Sequence, residues 1–306
     1  MNILITGAFG HIGSYFINHL KKNNQIKKIY IIDNNYSQKF NLFLNKNFQN
    51  KIYFRIKDLA AKNSLENLPK IKIVIHLASA TNAQESLKQK KFVYKNNYKS
   101  FINVVNFCKT NKCKLIHISS TSIYGSQSLL VDEKCKHLLP QSPYAEIKLK
   151  EENYLKKTKI NYITLRFGTI VGVSPGMRFH TAVNQFCYNA IMENPIKVWR
   201  TAIDQFRPYL SIKDAYKTII FIINNNLFDR EIYNIVTKNL TVRQVINLIR
   251  KYKKKLKIEY TNSEIMNQLS YKVMTKKIKN KGLNLSKNIQ LDIKETFKFF
   301  KNIRIF

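Results

Sequence analysis

The chain opens on a short β-branched run, Asn2-Ile3-Leu4-Ile5-Thr6, which breaks directly into Gly7-Ala8-Phe9-Gly10-His11-Ile12-Gly13 and then into a helical stretch, 14–20. Glycines at this spacing, set between a strand and a helix, constrain the fold more than any other feature. They are needed where backbone turns tightly and a helix packs closely on a strand, and the helix start leaves amide donors and a positive dipole end facing outward. Five further apolar runs, at 28–32, 52–56, 71–77, 114–119 and 161–166, follow at intervals filled mostly by helical segments. Short continuous apolar runs alternating with helices are the pattern of a parallel sheet covered on both faces. Six strands suit a doubly wound α/β sheet.

Asp33 sharpens this reading. It stands 20 residues beyond Gly13, at the end of the second run Ile29-Tyr30-Ile31-Ile32. A carboxylate there hydrogen-bonds the hydroxyls of an adenosine ribose and repels a 2′-phosphate, so the spacing predicts a Rossmann-type fold that binds NAD in preference to NADP. After Phe167 the alternation becomes irregular, which implies a smaller C-terminal α/β lobe. The expected division is an NAD-binding domain of residues 1–169 with 207–228, and a substrate-binding lobe of residues 170–206 with 229–306. Within that lobe Thr241-Val242-Arg243-Gln244 reads as a capping box opening a helix that turns Val245, Leu248 and Ile249 inward, and 292–300 reads as the last helix. The lysine-rich runs 251–257 and 272–281 read as solvated faces.

A second constellation lies between. Tyr144-Ala145-Glu146-Ile147-Lys148 follows Ser142-Pro143, and proline suits a first helical turn. The i, i+4 spacing sets a phenol and an ammonium on one helix face, where the cation readies the phenol for proton transfer. The run 114–119 ends in Ser119-Ser120-Thr121-Ser122-Ile123-Tyr124-Gly125, which delivers hydroxyls to the carboxyl edge of the sheet. Ligands bind at that edge in folds of this kind.

Composition excludes some alternatives. No apolar run reaches the length of a membrane span, and the N-terminus has neither a basic segment nor a cleavage pattern, so the chain is expected to be cytoplasmic. Cys108, Cys113, Cys135 and Cys187 form no CxxC pair and read as reduced thiols, and the histidines show no metal-binding spacing, so no metal is expected. The net charge of +35 raises the question of a nucleic-acid partner. Most of that charge is lysine spread along the whole chain among abundant Asn and Ile, which biased codon usage produces by itself. No nucleic acid is therefore expected, although a basic surface attracts any anionic ligand.

Taken in order, these motifs resemble the extended short-chain dehydrogenase/reductase family, in particular its sugar-nucleotide epimerase and dehydratase group, across nearly the whole chain. The resemblance implies that Gly7, Phe9, Gly10, His11, Ile12 and Gly13, with Asp33 and Asn34, bind the cofactor. It adds Asp58 and Leu59 at the adenine, the loop residues Leu77, Ala78 and Ser79, and Asn97 as a supporting asparagine. Ser120, four residues before Tyr124, takes the catalytic Ser/Thr position, with Tyr144 as acid/base and Lys148 as cofactor anchor. For the substrate, a nucleoside-diphosphate sugar, it implies Ser120, Thr121, Asn184, Arg207 as pyrophosphate clamp, and Arg178 as a further candidate. Thr169 stands where the family usually has asparagine in its Arg-x-x-Asn-x-x-Gly segment, here Arg166 to Gly172. Family members often pair through a helical bundle, so a homodimer is also implied.

Residues that are missing narrow the reaction. Family dehydratases carry Asp-Glu after the catalytic Thr, where this chain has Thr121-Ser122, and family decarboxylases place a glutamate at the position of Ser122. Hydride chemistry remains: Tyr144, assisted by Ser120, takes the sugar hydroxyl proton while the adjacent carbon gives hydride to NAD. If the keto-sugar turns over and takes the hydride back, the chain is an epimerase, typically at C4. If it leaves, the chain is a net oxidoreductase such as a keto-sugar reductase. A third class, a dinucleotide-sensing protein that holds nucleic acid, is opposed by the complete Ser120-Tyr144-Lys148 set.

Overall fold

A computed structural model describes residues 1–20, 25–36, 51–128, 130–262 and 270–300. Its centre is a seven-stranded sheet whose strands are β1 (Asn2–Thr6), β2 (Lys28–Asp33), β3 (Lys51–Ile56), β4 (Ile73–His76), β5 (Lys114–Ser120), β6 (Tyr162–Phe167) and β7 (Ile232–Ile235). The spatial order is β7-β6-β5-β4-β1-β2-β3 and every pairing is parallel. This is the doubly wound order, with the direction of winding reversing between β1 and β4. The six expected runs are its first six strands. The seventh corrects the expected boundary: residues 232–235 lie in the stretch given to the smaller lobe, yet Ile232 pairs with Thr164 and Ile235 with Phe167. Four residues are too short a signal to be separated by periodicity from the irregular sequence around them.

Burial explains why these segments are strands. β4 and β6 are buried at every position, so each side chain gains from leaving water whichever face it takes. On one face pack α1 (His11–His19) and α4 (Ile212–Asn224), which enclose Ile3, Ile5, Phe16, Ile75, Ile219 and Ile222. On the other, α2 (Ser100–Asn111) and α3 (Pro143–Lys156) enclose Leu4, Val74, Phe101, Val104, Leu115 and Leu155. Each such side chain contributes roughly 1.5–3 kcal/mol on burial.

The smaller lobe has its own core, with Val183, Phe186, Val198, Tyr209, Val245 and Ile249 beside a three-stranded sheet of Thr169–Val171, Phe206–Ser211 and Lys238–Thr241. The capping box is present: Gln244 N donates to Thr241 Oγ1 (3.1 Å) and Thr241 N to Gln244 Oε1 (3.0 Å). Ile246 is buried with Val245 and Ile249, whereas Leu248, expected to point inward, is only partly buried. The lysine-rich run 272–281 is not wholly solvated, because Val273 and Ile278 reach the core between exposed lysines. The last helix runs Gln290–Phe299. Among the described residues no helix is long and apolar enough to cross a membrane, and no cluster of His, Cys, Asp or Glu could hold a metal.

Candidate active site

The glycine segment turns from β1 into α1 at the point where the sheet reverses. Gly7 has φ of 69°, and a Cβ on it would lie 2.5 Å from Ala78 N in the loop after β4. Both facts demand glycine. Asp33 ends β2 with its carboxylate held beside this turn: Oδ2 accepts from Phe9 N (2.9 Å) and Oδ1 from Asn35 N (2.8 Å). Phe9 is buried against Phe54. Asp58, anchored through Oδ1 to Ala60 N (2.8 Å), and buried Leu59 come from the end of β3. With Asn34 and Ala78 these residues line a cavity of about 280 Å³.

This cavity adjoins a larger one of about 580 Å³, lined by His11, Ile12 and Gly13 of the glycine segment and by Leu77 and Ser79. Ser79 Oγ and His76 Nε2 are buried in its wall with no hydrogen-bond partner among the described residues, which suits a ligand that supplies polar atoms. Asn97 does not line either cavity. It is buried, and it pins the intervening loop: Oδ1 accepts from Ala80 N (2.7 Å) and Nδ2 donates to Ala80 O (2.9 Å). The residues fit a dinucleotide that spans both chambers.

Ser120, Tyr144 and Lys148 meet in the larger cavity. Ser142 caps α3, accepting from Ala145 N (3.2 Å), and Pro143 occupies the first turn. Tyr144 and Lys148 therefore share one face, with Lys148 Nζ 6.0 Å from the centre of the Tyr144 ring. Ser120 caps the short turn Thr121–Tyr124, accepting from Ser122 N (3.1 Å) and sharing a hydrogen bond with Ser122 Oγ (2.8 Å).

Beneath the pair lies a buried network not foreseen from the sequence. Lys148 Nζ donates to Glu151 Oε2 (2.8 Å), which also meets His117 Nε2 (2.9 Å). Burial opposes the Lys148 charge, but the Glu151 carboxylate outweighs it and holds the ammonium pKa above its usual value. Burial likewise opposes the Glu151 charge, and Lys148 and His117 pull that carboxyl below its usual range. Nearby His76 is pushed down to about 3, first by burial and then by the Lys148 charge, so its imidazole is neutral. It is joined to Thr6 Oγ1 through Nδ1 (2.8 Å).

Thr121, Thr169, Arg178 and Arg207 also line the larger cavity. Thr121 Oγ1 donates to Phe167 O (3.3 Å) and pairs with Tyr271 OH (3.2 Å). Arg207 donates to Gln205 Oε1 (3.3 Å), and burial lowers its pKa against the opposing influence of Tyr271 and Tyr209. Asn184 is the exception. It is fully buried, its Oδ1 accepts from Gly172 N (3.2 Å) and its Nδ2 donates to Arg178 O (3.1 Å), so the amide expected at a substrate phosphate instead braces the chain between residues 172 and 178. His11 is turned the same way, donating from Nε2 to Gly172 O (2.7 Å).

Thr81, Lys197, Trp199 and Tyr271, none of them foreseen, also line the wall. They sit in loops and short strands that carry no motif. Among the described lining residues of the larger cavity there is no carboxylate.

The chain is 27% identical over 273 residues to the ADP-L-glycero-D-manno-heptose-6-epimerase of Brachyspira hyodysenteriae, covering 84% of this chain and 83% of that protein. It is 26% identical over 256 residues to a putative UDP-glucose 4-epimerase of Methanocaldococcus jannaschii, covering 81% of each. Among solved structures, the UDP-N-acetylglucosamine 4-epimerase of Methanobrevibacter ruminantium superposes with a TM-score of 0.87 over 98% of both chains at 22% identity, which shows a shared fold. The UDP-glucuronic acid 4-epimerase of Bacillus cereus does so with a TM-score of 0.86 over 99% of this chain and 100% of that one, at 23% identity. Residues 3–236 match the family described as "Epimerase: NAD dependent epimerase/dehydratase family". Three quarters of the sequence lies in that match, so the chain belongs to the NAD-dependent epimerase/dehydratase family, with NAD as its cofactor.

Proposed function

We propose that the chain epimerises a nucleoside-diphosphate sugar at C4 through a transient 4-keto sugar. One observation carries the reading: Ser120, Tyr144 and Lys148 converge on a chamber whose described wall holds hydroxyls and cations, Arg207 among them, and no carboxylate. A dehydratase needs an acid and a base to remove water across two carbons, and nothing described in this wall supplies a carboxylic pair. Relatives and structural neighbours that carry 4-epimerase names support the same reading.

The residues divide the work. Asp33, Asn34, Asp58 and Leu59 would hold the adenosine end of the cofactor, and Lys148 its reactive end. Bound NAD supplies a hydride acceptor that can return what it takes. Tyr144 removes the proton from the sugar hydroxyl as Ser120 hydrogen-bonds the same oxygen, and it returns the proton after the sugar has turned. Lys148, kept charged by Glu151, stays an ammonium beside the phenol throughout. Arg207 would grip the substrate pyrophosphate.

The test is proton NMR of UDP-glucose and UDP-N-acetylglucosamine incubated with the protein and no added cofactor. The 4-epimer is expected, with turnover reduced about 10²–10⁴-fold in Tyr144→Phe. Consumption of NADH supplied together with a 4-keto sugar nucleotide, with net formation of the 4-hydroxy sugar, would instead establish the keto-sugar reductase.

A further inference from the structure

The two cavities share part of their walls: Gly7, Gly10, Leu77, Ser79, Thr81 and Arg178 face both. A dinucleotide with its adenosine beside Asp33 and its reactive ring beside Tyr144 must pass its pyrophosphate through this neck. On one side stands Gly10, at the start of α1, where amide donors and the helix dipole favour an anion. On the other stands Arg178, with one guanidinium nitrogen 3.8 Å from the place a Cβ on Gly10 would take.

Arg178 is half-buried, and of its five N–H donors one is engaged in a described hydrogen bond, to Thr81 Oγ1. Among the described residues no carboxylate pairs with it. A desolvated guanidinium with donors to spare and no counter-ion is matched by an anion brought from outside.

The segment carrying it is fastened to the glycine turn. His11 Nε2 donates to Gly172 O (2.7 Å), Ser174 Oγ to His11 O (2.9 Å), and Gly176 N to Ser14 Oγ (2.9 Å). A Cβ on Gly176 would fall 2.3 Å from Phe9 O, so the two backbones touch. The carbonyl of Arg178 is itself held by Thr181 Oγ1 and Asn184 Nδ2, both at 3.1 Å. The segment is thus positioned by the element that meets the cofactor.

From this geometry we infer that Arg178 clamps the pyrophosphate of NAD, in place of the substrate role expected from the sequence, and that residues 172–178 form a strap from the smaller lobe lying across the bound cofactor. The inference rests on NAD as cofactor and is independent of which sugar is turned over.

Calorimetric titration of the full chain, first stripped of the NAD it retains, with ADP-ribose, adenosine and UDP tests it. Arg178→Ala should weaken ADP-ribose binding about 10- to 100-fold, as expected for losing charge-assisted hydrogen bonds, and leave adenosine and UDP unchanged. Arg178→Lys, which keeps the charge without the fork, should fall between, and it carries the test if the alanine variant does not fold. Loss of UDP affinity with ADP-ribose unaffected would overturn the inference and return Arg178 to the substrate. Unchanged affinity for all three ligands would also overturn it. Failure of the unaltered protein to bind ADP-ribose would instead refute the cofactor assignment of these cavities, and the clamp with it.

Discussion

Removing one carboxylate beneath the active site should cost a large part of the stability of this protein. Glu152 Oε2 accepts from one terminal nitrogen of Arg166 (2.7 Å), and its Oε1 accepts from Arg166 Nε (3.0 Å) and Ser119 Oγ (2.6 Å). The Glu152 side chain is 0% exposed and that of Arg166 2%. The other terminal nitrogen of Arg166 donates to Tyr124 OH (2.8 Å), which leaves the guanidinium no route to water. Arginine cannot shed its proton to escape, and Glu152 and Tyr124 outweigh burial to hold its pKa above the usual value. Glu152→Ala therefore strands a buried cation, at about 3–5 kcal/mol, out of a total that for such domains is ~5–15 kcal/mol. Urea unfolding at pH 7 followed by circular dichroism measures the loss. The double variant Glu152→Ala, Arg166→Met, which removes both charges, should recover most of it. If Glu152→Ala alone costs less than about 1 kcal/mol, the account of the pair as a dry, mutually dependent unit is wrong.

Burial pushes the Asp292 carboxyl up to about 7 from a usual 3.8, against the hydrogen bond from Ser211 Oγ (2.9 Å) and the charge of Lys213. The folded state then holds this proton more tightly than the unfolded chain does, so the stability it contributes is complete below about pH 4 and lost as pH rises through 7; Asp292→Asn should flatten that decline by ~3 kcal/mol in urea titrations from pH 4 to 8, and parallel curves for the two proteins would refute the assignment. Gly7→Ala combines a disfavoured φ with a 2.5 Å approach to Ala78 N, so it should destabilise by more than ~1 kcal/mol and impair NADH binding, both absent if the turn can relax.

What could be read from the sequence was what has a short-range signature. The glycine turn, Asp33 and the Tyr144-Lys148 pair are fixed by local spacing, and six of the seven strands in the large sheet are continuous apolar runs. The contents of the substrate end were not legible for the opposite reason. Tyr271 reaches Thr121 across 150 positions, and Asn184 and His11 turn to backbone at Gly172, pairings that arise only when distant loops are folded together. Glu151 and Glu152 look in sequence like two solvated helix charges. In the structure both are buried, each holding a different cation.

The late arrival of β7 bears on how the chain is made. β6 ends at Phe167, and the strand that covers its outer edge ends at Ile235, after the excursion that builds much of the smaller lobe. At synthesis rates of ~5–20 residues per second the ribosome needs roughly 3–14 s to cover that distance. Throughout that interval the growing sheet ends on an apolar strand with an open row of hydrogen-bonding groups, a template for another nascent chain. The interval in which β6 lacks its outer neighbour thus opens soon after the catalytic helix is made, with the proton-transfer residues already in the chain, and ends when β7 takes over as the edge strand.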